Sequence, residues 1–184
     1  MFASFRRARP EDDISSALYG AIVAQARNPA LYTELGVPDT VEGRFEMVVA
    51  HLALVLRRVW QGGDETKVVG QATFDVFCRE MDDALRALGV KDTSVGKRMR
   101  KLAEAYYGRA SAYDTAIAAG DGAALAGVLG RTVYGDESAV AARSLADYMT
   151  QANRRLAATP LDRVIAGSMD WPAPGGPLAT ENQT

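Results

Sequence analysis

Apolar residues recur along most of this chain at intervals of three and four, the spacing that lines one face of an α-helix. Ile14, Leu18, Ile22 and Ala26 follow the acids Glu11-Asp12-Asp13, which favour a helix N-terminus; they predict a helix over 14–26 that Pro29 ends. A short helical turn is expected over 30–35, stopped by Gly36-Val37-Pro38, with Asp39 or Thr40 capping the next element. In that element Val41, Phe45, Val48, Val49, Leu52, Leu56 and Val59 form one stripe, and Met47, Leu54 and Val55 make much of the remaining circumference apolar. A helix apolar on most sides needs neighbours on most sides, so 41–59 is predicted to run through the centre of the fold.

Gly62-Gly63 closes that helix. The stripe Val69, Ala72, Phe74, Phe77, Met81, Leu85 and Leu88 predicts another over 67–88, terminated by Gly89. Asp92-Thr93-Ser94 offers caps for a long helix reaching 119, with Val95, Met99, Leu102, Tyr106, Ala110 and Tyr113 on one face. After Gly120-Asp121-Gly122, shorter helices are expected over 123–134 and 138–157, and Thr159-Pro160 opens a last turn. No run alternates apolar and polar residues as a half-buried strand does, and no fixed-period repeat is present. The predicted fold class is all-α, a single compact multi-helix domain. Its expected boundaries are a basic arm at 1–10, the helical domain at 11–168 and a flexible tail at 169–184, where Pro172-Ala173-Pro174-Gly175-Gly176-Pro177 breaks the periodicity.

With 48% hydrophobic and 24% charged residues, the composition is that of a globular protein. Lys+Arg 21 nearly balance Asp+Glu 23, so any site for a polyanion must be local. The single cysteine, Cys78, excludes an internal disulfide and sits in an apolar-periodic run, as suits a reducing compartment. The arginines before residue 10 lead into acids and not into an apolar core, so no secretory signal is recognised. The longest nearly uncharged stretch, 47–56, is about half the roughly 20 residues of a spanning helix. A cytoplasmic protein without an integral membrane segment is expected.

Candidate chemistry is sparse. His51 is the sole histidine and lies among Val49, Leu52 and Ala53, where a hydrogen-bonded core role is expected ahead of a general base. Cys78 beside Arg79 has no identifiable base, no metal-ligand spacing is present, and no cofactor is expected. The loop from Gly89 to Lys97 separates its glycines by six residues where a phosphate loop needs four, and Arg98 stands where Ser or Thr would bind magnesium. The expectation is a protein without enzymatic activity.

Charge provides the sharper features. Lys97-Arg98-Met99-Arg100-Lys101 places four cations in five residues. Helical geometry puts Lys97 and Lys101 on one face with Arg98 beside them, and Arg100 on another side. The solvated face of a helix and a docking patch for RNA or an acidic protein are about equally good readings. Arg57, Arg58 and Trp60 close the central helix, and Tyr107 is turned away from its neighbour Tyr106, so these also enter the set of candidate binding residues.

Several segments together resemble the ubiquinol-cytochrome c chaperone family, assembly factors of the cytochrome bc1 complex. They are Leu31-Tyr32-Thr33-Glu34-Leu35-Gly36-Val37-Pro38-Asp39-Thr40, Gly43-Arg44-Phe45-Glu46, Asp82-Asp83-Ala84-Leu85-Arg86 and, most distinctively, Ser94-Val95-Gly96-Lys97-Arg98-Met99-Arg100-Lys101-Leu102. The resemblance covers about 19–134. It implies an all-helical fold and a role in bringing newly made cytochrome b, or another bc1 component, into the complex. It also implies that the ribosome and a small partner protein are candidate partners, since mitochondrial relatives act with such a partner at the ribosome. No catalytic residues carry over from the family. The long N-terminal extension and membrane segment expected of mitochondrial relatives are not recognised, so a bacterial cytoplasmic form is expected, peripheral at the inner membrane through its client. The main alternative is an RNA- or ribosome-binding module using the cations at 97–101; a small enzyme using Cys78 or His51 is the other.

Overall fold

The computed structural model of the chain describes residues 10–175. The expected basic arm, apart from Pro10, and residues 176–184 of the expected tail lie outside the described residues. The elements run in the order α1 (Pro10–Ala26), α2 (Pro29–Thr33), α3 (Val41–Trp60), α4 (Asp64–Ala87), α5 (Asp92–Ala119), α6 (Gly122–Leu129), a π turn (Gly130–Tyr134), α7 (Ala141–Ala158) and α8 (Leu161–Ile165), with no strand among the described residues. The expected all-α fold is what the chain adopts.

α3 is the axis of the bundle, as its apolar circumference requires: α1, α4, α5, α7, α8 and the π turn all pack on it. Every residue from 46 to 56 is buried. Phe77 of α4 is fully buried among the rings of Tyr19, Phe45, Phe74 and Tyr106, tying α1, α3, α4 and α5 into one aromatic cluster. Thr40 caps α3, its Oγ1 accepting from the Gly43 amide at 3.0 Å. Gly43 itself lies hard against Pro38: a Cβ there would run into the Pro38 carbonyl oxygen, a backbone atom that cannot step aside. Gly43→Ala is therefore expected to lower Tm by about 3–8 °C, the effect of roughly 1–3 kcal/mol of overpacking, despite alanine's better helix propensity. Thermal unfolding followed by circular dichroism checks this.

Three local details depart from the sequence expectation. α4 starts at Asp64, a turn earlier than periodicity indicates, because Asp64 and Glu65 complement the helix dipole directly after the Gly62-Gly63 break. α5 starts at Asp92 without a side-chain cap: the Asp92 carboxylate is taken across the α4–α5 turn by Arg86, which also holds Asp82 one turn back within α4 at 2.6 Å. The helix expected over 123–134 changes to a π turn at Gly130, where the backbone of Asp136 and Glu137 crosses so closely that a Cβ would stand 2.5 Å from the Asp136 oxygen.

The C-terminal segment departs most. Residues 169–175, expected to leave the domain, lie along it: Pro172 and Pro174 are buried, and Trp171 packs edge-on against His51 with ring centroids 5.2 Å apart. Arg155 of α7 donates to Asp170 Oδ2 at 2.9 Å and to the Trp171 carbonyl at 3.2 Å. An extended stretch without periodicity docks here through one indole and two prolines, groups that need no regular backbone to bury apolar area.

Beyond Cys78 the pattern changes. Between residues 79 and 105 only Val95 is buried, so the end of α4 and the first turns of α5 extend past the core as a helical hairpin.

Candidate functional site

Where α3 and α5 diverge toward the C-terminal end of α3, they leave a groove of about 440 Å³. Leu54 and Trp60 line it from α3, and Tyr107, Ala110 and Ile117 from α5. Arg57 and Asp114 pair across it at 2.5 Å, and Arg57 also donates to Asn153 Oδ1 of α7 at 3.1 Å. The groove is thus apolar along its length and charged at one edge, a form suited to an apolar segment with a polar flank.

Both aromatic walls are held from behind. Tyr107 is 50% exposed, yet its ring lies 5.4 Å from those of Phe74 and Tyr106, so it is presented to solvent from a rigid base. Trp60 leans on α4 at Gly70, where a Cβ would come within 2.7 Å of the indole Nε1. Glycine at 70 is what lets α4 pass behind the indole. Large, fixed and partly desolvated aromatics are the side chains that usually dominate a protein–protein contact.

The eight candidate residues therefore separate into three groups. Arg57, Trp60 and Tyr107 converge on the groove although up to 50 positions separate them. Arg58 is occupied elsewhere: its guanidinium donates to the carbonyls of Leu156 and Thr159 at 3.1 and 3.2 Å, satisfying the C-terminal end of α7. Lys97, Arg98, Arg100 and Lys101 are all exposed on the projecting part of α5, away from the groove lining.

Below the groove, Arg109 meets Glu46 in a two-pronged pair, Nε to Oε2 at 2.7 Å and Nη2 to Oε1 at 2.6 Å. The Glu46 side chain is 8% exposed and that of Arg109 24%. Burial pushes the Glu46 carboxyl above the usual carboxylate range, and the bonds from Arg109 pull it part of the way back. Neither residue is among the eight candidates. The pair's signal was there: Glu46 interrupts the apolar run between Phe45 and Met47, and Arg109 interrupts the stripe between Tyr106 and Tyr113. A lone acid and a lone base on the buried faces of two helices are partners in waiting.

His51 is 1% exposed and lies in a satisfied chain of hydrogen bonds. Its Nδ1 is 2.8 Å from the Met47 carbonyl and its Nε2 2.8 Å from the Tyr148 hydroxyl. A carbonyl can only accept, so Nδ1 carries the proton, Nε2 accepts from Tyr148, and the Tyr148 oxygen accepts from Gln25 at 2.9 Å. Burial depresses the His51 pKa to about 4, and Trp171 covers the ring. Burial pushes the Cys78 thiol up, with Asp75 adding to the effect, which is the opposite of thiolate activation.

Comparison with curated proteins yields no match. A family model described as ubiquinol-cytochrome C chaperone matches residues 33–171, which takes in the groove, the Glu46–Arg109 pair and the basic face of α5. Among solved structures, the crystal structure of the Cbp3 homolog from Brucella abortus superimposes with a TM-score of 0.79 at 35% sequence identity, covering 88% of this chain and 90% of that one. The helical bundle and its signature segments thus have a common source, and the chain belongs to the ubiquinol-cytochrome c chaperone family.

Proposed function

We propose that this chain assists assembly of the cytochrome bc1 complex by holding newly made cytochrome b, and that an apolar client segment rests in the groove between Trp60 and Tyr107. The observation that carries the reading is family membership over most of the chain together with a preformed aromatic groove inside the matched span. A newly made membrane-protein client exposes apolar segments that aggregate unless they are covered. A groove walled by two anchored rings can bury such a segment and release it without covalent chemistry. The reading needs no catalytic group: His51 is covered and neutral, and the Cys78 thiol is pushed toward its unreactive form.

Deletion of the gene is expected to reduce assembled bc1 complex and mature cytochrome b severalfold while other respiratory complexes keep their levels. Complementation with the wild-type protein restores them; Tyr107→Glu combined with Ile117→Glu, which places charge in the groove, does not, although the purified variant keeps its helical spectrum. Unchanged bc1 levels on deletion would remove the reading, and full complementation by the double variant would move the client site away from the groove.

A further inference from the structure

The cations of α5 remain outside the groove and need their own account. Residues 91–101 carry Lys91, Lys97, Arg98, Arg100 and Lys101 against one acid, Asp92, on a chain whose formal net charge is −2. All five cations are exposed, and none of them takes part in an ion pair among the described residues. The one acid is already held by Arg86. Glu80, Asp82 and Asp83 lie on α4, the other arm of the hairpin. At the tip, next to Lys91, Leu88 is 79% exposed and followed by the partly buried Val90.

We infer that this hairpin docks on an anionic lipid bilayer, with Leu88 entering the headgroup boundary and the cations of α5 held at the surface. Two features select a bilayer over a nucleic acid. An exposed leucine at a projecting tip flanked by cations matches an interfacial membrane contact, in which apolar burial and attraction to anionic headgroups add. Single-stranded nucleic acid, by contrast, is gripped through aromatic rings between the cations, and residues 79–105 contain no Phe, Tyr or Trp. Because no helix among the described residues is long and apolar enough to cross a membrane, a surface contact of this kind would bring the chain to where a membrane-bound client emerges. The inference stands independently of the client reading, since it concerns the chain alone.

The test is flotation of the purified full-length protein with vesicles of phosphatidylcholine, with and without 30% phosphatidylglycerol, at low and at 0.5 M salt. Binding is expected only with the anionic lipid and is lost at high salt. Each neutralised cation is expected to weaken binding about fivefold, so Lys97→Gln/Arg98→Gln/Lys101→Gln loses on the order of 100-fold. Leu88→Ser loses severalfold, and Lys97→Arg/Lys101→Arg, which keeps the charge, binds like the wild type. Equal binding to neutral vesicles, no binding, an unaffected triple-glutamine variant with intact helicity, or salt-sensitive binding to ribosomes without binding to vesicles would each overturn the inference. None of these results depends on the presence of cytochrome b.

Discussion

Arg109→Leu is expected to lower the free energy of unfolding by about 3–5 kcal/mol, the loss typical of breaking a buried ion pair by removing one partner. The mutation leaves the Glu46 carboxylate, 8% exposed, without the two charge-assisted hydrogen bonds that Arg109 supplies at 2.6 and 2.7 Å. Glu46 then has either to stay charged in an apolar surround or to take up a proton, and both cost free energy. Burial already pushes its pKa up with the partner present, so protonation is the cheaper escape and limits the loss at mildly acidic pH. The companion variant, Glu46→Leu with Arg109→Leu, removes both charges and is expected to regain most of the lost stability, because apolar replacements of a buried pair are commonly neutral. Urea unfolding of the wild type, the single and the double variant decides the matter. A double variant as unstable as the single would show that Arg109 acts through the packing of its stem and not through Glu46.

Acid is expected to act on this protein through His51. The folded-state pKa is depressed from 6.5 to about 4, so the stabilising contribution is complete above pH 6.5 and is lost as pH falls through 4. In that window the unfolded chain binds a proton that the folded chain refuses, since burial strips the charged ring of water and protonated Nε2 could not accept from Tyr148. The whole depression corresponds to about 3 kcal/mol. Comparison with His51→Gln isolates it: the variant is less stable at neutral pH, but its stability falls less steeply, by up to about 1.4 kcal/mol per pH unit near pH 5. Equal slopes for the two proteins would mean that His51 titrates normally in the folded state.

The variants proposed for the groove and for the hairpin differ from these two in kind. The hairpin variants change exposed side chains and the groove variant a half-exposed ring and the partly buried Ile117, so their readout is binding or assembly, with helicity and Tm measured alongside. The aromatic cluster around Phe77 and the buried length of α3 carry the structure; the cations of α5 stand outside it, and Tyr107 lies at its solvent edge, against Phe74 and Tyr106.

Much of this was legible in the chain. Helical periodicity records which side of each helix is dry, because side chains three and four apart share a face whatever that face later meets. It therefore placed α3 at the centre, His51 in the core, Tyr106 inward and Tyr107 outward; of the two cap candidates, Asp39 and Thr40, the structure uses Thr40. Periodicity is silent about which dry faces meet and how closely. Only the crossing of α3 and α5 brought Trp60 and Tyr107 onto one groove and joined Glu46 to Arg109, 63 positions apart. Only the end of α7 gave Arg58 its carbonyls. The segment 169–175 shows the limit from the other side, since a stretch with no period at all found a place on the domain through Trp171, Pro172 and Pro174. Local spacing determined the elements; the distances between residues far apart in sequence, set by how those elements pack, decided the site.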